Sequence, residues 1–103
     1  MKKAETIFAC NPAAVDKEQR ARYAVLTKQL FATKREIEEL PDGYAVGFSA
    51  NPQTIKETAE FITYERLCCP FLKFEMAIEG ENLSLRLKVA EGVKEFLKSE
   101  LGI

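Results

Sequence analysis

An Asn-Pro pair occurs twice in the sequence, each time between a short β-rich run and an amphipathic helical pattern. The two pairs restrict where two helices can begin. Asparagine is a preferred N-cap, and proline suits the first helical position because an N–H there would lack an intrahelical partner. Asn11-Pro12 and Asn51-Pro52 therefore predict two helix starts. The first helix is predicted to end near Lys34. The second must stop before Pro70, because the residue ahead of a proline is disfavoured in helical geometry.

Residues that recur at intervals of three and four lie on one face of a helix, and this pattern predicts which face each helix buries. In the first helix, that face carries Val15, Gln19, Tyr23, Leu26 and Leu30. In the second, the expected apolar stripe consists of Ile55, Ala59 and Ile62, with Phe61 and Tyr64 beside it. A third, short helix is predicted at 91–101 near the end of the chain.

Short β-rich or alternating runs predict strands at 5–10, 35–40, 44–49, 72–79 and 83–89. The run at 35–40 is rich in glutamate, which suits the edge of a sheet because charge there opposes aggregation. It is joined to the next strand by Pro41-Asp42-Gly43, a turn in which the glycine is expected to adopt a positive φ. Gly80 predicts a second hairpin turn between the last two strands.

The predicted order is strand, helix, strand, strand, helix, strand, strand, helix. Its first six elements are those of the ferredoxin-like βαββαβ fold, an α+β two-layer sandwich with an antiparallel sheet and helices on one face. The extra strand is expected to lie beside the fourth, and the last helix to cover an end or an edge of the sheet. A length of 103 residues suits one domain, 1–103.

The chain has three cysteines and no histidine, which narrows the available chemistry. Without histidine there is no Ser-His or Cys-His catalytic pair and no imidazole metal ligand. A net charge of -1 provides no general basic field, so nucleic acid is not an expected partner. No apolar run approaches the roughly 20 residues that a membrane span requires, so a membrane is not expected either. We therefore predict a cytoplasmic protein with reduced thiols.

The predicted topology brings the cysteines to one end of the sheet. Cys10 closes the first strand, whereas Cys68 and Cys69 lie where the second helix meets the fourth strand. Glu65 precedes the cysteine pair by three and four positions, so the carboxylate and both thiols share a helix face if the helix continues that far.

Three interpretations of this cluster remain open. Cys10, Cys68, Cys69 and Glu65 are candidate ligands of zinc or another thiophilic metal ion, because thiolates select soft metals. Alternatively, the cysteines act in thiol redox chemistry, with one thiol attacking and another resolving. Cys10 is then the favoured nucleophile, because it precedes a predicted helix N-terminus. In the third interpretation the cysteines are structural packing residues, and the chain is a non-catalytic module for ligand binding or self-association.

The stretch Glu65-Arg66-Leu67-Cys68-Cys69-Pro70-Phe71, with Phe74 three residues later, resembles a signature of small bacterial proteins that have no assigned activity. The similarity extends to the Leu-Pro-Asp-Gly-Tyr turn at 40–44 and to the Glu91-Gly92-Val93 ending. The resemblance supports the boundaries of the cysteine motif and implies no particular reaction.

A two-layer sandwich leaves one face of its sheet open. If Val46, Phe74 and Leu85 point toward the helices, Ala45 and Gly47 lie on the open face together with the stems of basic side chains. A homodimer through this face or through an edge strand is compatible with such a mixed surface. A small molecule or a metal ion is the other expected class of ligand.

Overall fold

The computed structural model describes residues 14–89, which form two helices and four strands. The elements are α1 (Lys17–Ala32), β1 (Glu36–Leu40), β2 (Gly43–Ser49), α2 (Pro52–Cys68), β3 (Lys73–Glu79) and β4 (Asn82–Lys88). They match the second to seventh predicted elements in type and order. The strand predicted at 5–10 and the helix predicted at 91–101 lie outside the described residues, as does Cys10.

The four strands form one antiparallel sheet in the order β1-β2-β4-β3. The α+β class with an antiparallel sheet is therefore confirmed, and the element order is consistent with a ferredoxin-like core. The glutamate-rich β1 lies at an edge of the described sheet, as predicted. The extra strand β4 pairs with β3, as expected, and also with β2, so it lies between two strands of the described sheet.

Strand register places large apolar side chains on one face of the sheet. Val46 is opposite Leu85, and Leu85 is opposite Met76 on the other side. This face contacts both helices: the ring of Phe31 in α1 lies 5.9 Å from Phe48 and 5.3 Å from Phe61 of α2. The central members of the core, including Val46, Phe61 and Leu85, are completely buried. The helices thus lie on the predicted face.

The apolar face is less well covered toward β3. Met76 and Ile78 have the predicted alternation, yet they remain 39% and 48% exposed. Within the described sheet, β3 is an edge strand that pairs with β4 alone. None of the helices among residues 14–89 is long and apolar enough to cross a membrane.

The first helix begins later than predicted. Asp16 is its N-cap, and the Asp16 side chain accepts a hydrogen bond from the backbone N–H of Glu18 at 3.5 Å. The prediction had placed Asp16 in an early turn of a helix that starts at Asn11-Pro12. That placement is wrong, because Asp16 itself caps the helix and Val15 before it is not helical. Asn11 and Pro12 lie outside the described residues. In the second helix, by contrast, Asn51 caps Thr54 N–H at 2.8 Å with Pro52 following, as predicted.

The buried face of α2 is only partly the predicted one. Phe61 is buried, and Ile62 and Tyr64 pack against the core, as predicted. Instead of Ile55 and Ala59, the face toward the core carries Thr54, Thr58, Phe61, Glu65 and Cys68. Ala59 is exposed and Ile55 is only half-buried. These buried residues recur at intervals of four and three, as regularly as the expected stripe. Because two of them are threonines and one is a glutamate, a pattern of apolar residues does not identify this face. This rotation of the helix turns Glu65 into the interior.

The turn glycines have different roles. Gly80 has a φ of 63°, in the left-handed region that glycine adopts without strain. Gly43 does not have the positive φ that was predicted for it. Only glycine fits at position 43, because a Cβ there would lie 1.9 Å from the backbone oxygen of Leu87 in the neighbouring strand.

This close approach predicts a large effect of Gly43→Ala. We expect the free energy of unfolding to fall by about 3 kcal/mol or more, since β2 and β4 must separate locally to admit a methyl group. Gly47→Ala is the matched control in the same strand: its Cβ would meet only the flexible side chain of Glu36, at 3.0 Å. Urea unfolding should give a much smaller loss for Gly47→Ala, and equal losses would contradict the steric explanation.

Candidate functional site

The end of α2 brings one carboxyl group and two sulfur atoms into the interior. Cys68 is the last residue of the helix, and Cys69 is its C-cap, whose N–H donates to the carbonyl oxygen of Glu65 at 2.7 Å. Because this turn stays helical, Glu65 lies one turn before the cysteine pair. Glu65, Cys68 and Cys69 are only 2%, 1% and 0% exposed. The predicted juxtaposition of these three residues is present.

Each oxygen of the Glu65 carboxyl group has a close neighbour. The Tyr23 hydroxyl of α1 donates a hydrogen bond to Oε1. The Sγ atom of Cys69 lies 3.4 Å from Oε2. A buried carboxyl group that lacks partners is costly, so the hydrogen bond from Tyr23 reduces a substantial desolvation penalty. The carboxyl group thus lies between a phenol and a sulfur atom.

Tyr23 stays protonated in this environment. Burial is the main cause that raises its pKa, followed by the hydrogen bond to Glu65, with a smaller contribution from a hydrogen bond with Cys68. Both effects disfavour a phenolate, because a negative charge would lose hydration and face a carboxyl group. The Tyr23 hydroxyl is therefore a hydrogen-bond donor to Glu65, and it links α1 to α2.

A second set of polar contacts lies on the surface outside this cluster. Arg22 binds both oxygens of Glu60, with N–O distances of 2.9 and 2.7 Å, and Tyr64 donates to the same carboxylate at 3.1 Å. The hydrogen bond from Arg22 is the main cause that lowers the pKa of Glu60. The Tyr23 and Tyr64 rings are 5.8 Å apart. These contacts join α1 to α2 next to the buried cluster.

The two adjacent cysteines are in different chemical states. Cys68 is buried and is not part of a disulfide. Cys69 is disulfide-bonded. The prediction of reduced thiols is therefore wrong for Cys69. Cys10, the other cysteine of the sequence, lies outside the described residues.

Metal binding remains a prediction. Among residues 14–89, no group of three or more His, Cys, Asp or Glu side chains is arranged to hold a metal ion. Glu65, Cys68 and Cys69 are close in sequence, but they do not form such a group by themselves. The predicted set of four ligands also includes Cys10, which the described residues do not contain.

Tyr23 is the site residue that sequence reasoning missed. It was assigned to the buried face of α1, and it is indeed half-buried there. A tyrosine on a buried face needs a hydrogen-bond partner for its hydroxyl, and this requirement could have drawn attention to it. The partner is a glutamate 42 residues away, which became visible only when the two helices were packed together.

The prediction that Cys10 is the favoured nucleophile concerns a residue outside the described ones and stays a prediction. Comparison of the chain with models of known protein families, with curated proteins and with solved structures gives no match.

The buried phenol predicts a distinctive response to alkaline pH. The pKa of Tyr23 is raised above its unfolded value of about 10. The stability that it contributes is therefore fully present below that pH and is lost as the pH rises further. We expect Tyr23→Phe to lower the free energy of unfolding at pH 7 by about 1 to 3 kcal/mol, because Glu65 loses a donor. The same variant should depend less steeply on pH above 10 than the original protein.

Urea unfolding between pH 7 and 11 provides the measurement. Tyr64→Phe is the matched control, since it removes a hydroxyl that contacts the more accessible Glu60. At neutral pH, Tyr64→Phe should lower the free energy of unfolding by less than Tyr23→Phe does. If the free energy of unfolding of Tyr23→Phe and of the original protein changed in parallel with pH, Tyr23 would not be the group that causes the loss of stability at alkaline pH.

Proposed function

We propose that this chain carries out thiol–disulfide redox chemistry, with Cys69 as the sulfur that alternates between thiol and disulfide and Cys10 as its partner. The observation that carries the proposal is the buried carboxyl group of Glu65, 3.4 Å from the Cys69 sulfur. Cys68, the third cysteine, precedes Cys69 in the chain and is not part of a disulfide.

A proton acceptor is useful at this position, because disulfide formation releases the thiol proton of each cysteine. In the reduced form, the Cys69 thiol would lie within reach of Glu65 Oε2, which can accept its proton as sulfur becomes nucleophilic. Tyr23 holds the other carboxyl oxygen, so the acceptor is directed at sulfur.

The burial of Glu65 argues against cysteines that serve only as packing. A packed sulfur needs apolar neighbours, whereas a carboxyl group that is 2% exposed costs stability even when it is hydrogen-bonded. Ionisable groups in such surroundings are concentrated at functional sites, where reactions require them. The arrangement is therefore better suited to proton transfer at sulfur than to packing.

The redox step is balanced with a two-electron oxidant, either a disulfide or a hydroperoxide. Cys69 and Cys10 each lose the bond from sulfur to hydrogen, and one sulfur–sulfur bond forms. The two electrons and two protons pass to the oxidant, which becomes two thiols in the first case or an alcohol and water in the second. Reduction of the protein reverses the electron flow and requires an external thiol.

The test is reversible oxidation under native conditions. We expect glutathione buffers of increasing reducing power to convert the folded chain from a single free thiol at Cys68 to three free thiols. Peptide mapping after alkylation should assign the disulfide to Cys10 and Cys69. Circular dichroism should show that the fold persists through the transition.

Cys68→Ser is the matched control, because it changes the neighbouring residue and keeps the proposed pair. It should retain the transition, whereas Cys69→Ser and Cys10→Ser should abolish it. A disulfide that is reduced only after unfolding would overturn the proposal in favour of a structural bridge. Stoichiometric zinc in the reduced protein, lost in Cys68→Ser, would instead favour the predicted metal site.

A further inference from the structure

We propose that the outer edge of β3 is a homodimer interface, where β3 of a second copy of this chain pairs antiparallel about a two-fold axis at Met76. Within the described sheet, β3 pairs with β4 on one side and has no neighbouring strand on the other. An edge of this kind presents backbone N–H and C=O groups that another strand can pair. The interface does not depend on the proposed redox function.

Apolar side chains next to this edge remain uncovered. Met76 and Ile78 lie directly opposite Leu85 and Leu83 of β4, so they share the face of the sheet that packs on the helices. The two leucines are buried, whereas Met76 is 39% and Ile78 is 48% exposed. Contact with a second copy would remove this apolar area from water, which favours association.

The charges of β3 select a second copy of the same strand as the occupant. With the axis at Met76, Lys73 lies opposite the partner's Glu79, and Glu79 lies opposite the partner's Lys73. Directly opposed positions of opposite charge stabilise an antiparallel pair. On the other face of the sheet, Phe74 lies opposite the partner's Ile78, so charged residues meet charged ones and apolar residues meet apolar ones.

Both charged groups are available for such contacts. The Lys73 side chain is 71% exposed, and its ion pair with Glu75 is 3.8 Å long. Lys88 is closer to the Glu75 carboxylate, at 3.3 Å, so Glu75 keeps a cation if Lys73 turns to a partner. Among residues 14–89, no cation forms an ion pair with Glu79.

The same charges disfavour the neighbouring registers. A two-fold axis perpendicular to the sheet keeps the helices of both copies on one face, and it passes between two identical residues. An axis at Glu75 would oppose the two Glu75 carboxylates, and an axis at Ala77 would oppose Glu75 to the partner's Glu79. Like charges at directly opposed positions are destabilising. The Met76 register avoids them and pairs all seven residues of the strand.

The other edge of the described sheet does not have this property. β1 contains Glu36, Glu38 and Glu39 and no basic residue, so self-pairing about any of its three central positions opposes two glutamates. Charge therefore protects the β1 edge against pairing. Association through β3 uses the same surface on both copies and stops at two chains.

The test is the mass in solution, measured by sedimentation equilibrium as the concentration of the folded chain increases. Because a single pair of edge strands is a small interface, we expect the mass to rise from one chain to two over roughly 1 to 100 µM. Denaturing electrophoresis without reductant should show single chains, so that the association is not covalent.

Charge reversal tests the register. Lys73→Glu and Glu79→Lys should each weaken self-association by about tenfold or more, since each opposes like charges at both ends of the paired strands. An equimolar mixture of these two variants restores both opposite-charge pairs, so it should dimerise about as tightly as the original protein. Glu38→Lys is the matched control on the β1 edge and should leave the dimer unchanged.

A second variant tests the apolar contact. Met76→Glu opposes two carboxylates at the axis and should weaken the dimer by about tenfold or more. Val25→Glu is its control, because Val25 is a similarly exposed apolar residue on α1, at 49%. Circular dichroism should show that every variant keeps the fold.

Several outcomes would overturn the interface. One is a chain that stays monomeric up to about 1 mM. Another is a dimer that Glu38→Lys or Val25→Glu weakens while the β3 variants do not, since a different surface would then bind. A mixture of Lys73→Glu and Glu79→Lys that associates no better than either variant alone would contradict the register, and assemblies larger than two chains would contradict the two-fold arrangement.

Discussion

The register between β2 and β4 is the constraint on which the rest of the structure depends. It aligns Tyr44, Val46 and Phe48 with Leu87, Leu85 and Leu83 and so creates one continuous apolar face. Burial of each such side chain contributes roughly 1.5 to 3 kcal/mol. A slip by one residue would turn this face to solvent, because side chains alternate along a strand. The close approach of the strands at Gly43 is part of the same alignment.

Once this face exists, both helices must cover it, and their packing decides what else is buried. Phe31 and Phe61 meet over the sheet, which fixes the rotation of α1 and α2. In that orientation, α1 places Tyr23 against α2. On α2, Glu65 and the cysteine pair face the interior, where Glu65 meets the Tyr23 hydroxyl. The polar cluster is thus a consequence of apolar packing, and the surface pair Arg22 and Glu60 reinforces it.

Much of the architecture could be predicted because local signals agreed with one another. Asn51-Pro52 began a helix, Gly80 made a turn, and the alternation in β4 specified a strand. Predictions were wrong where a residue expected inside a helix caps it or where burial did not follow hydrophobicity. Asp16 is the cap of α1 and not a residue of its early turns, and the threonines of α2 face the core in place of Ile55 and Ala59. Glycine is required at position 43 because a Cβ would collide with the neighbouring strand, and not because the backbone has a positive φ.

The sequence by itself determined the order of the elements and the adjacency of Glu65, Cys68 and Cys69, because helix spacing and chain connectivity are local properties. Only the tertiary structure decided that Tyr23 is the partner of Glu65, that β4 lies between β2 and β3, and that the two adjacent cysteines differ in state. These outcomes depend on contacts between residues far apart in the chain. Such contacts follow from how apolar faces pack together, and periodicity alone does not specify them.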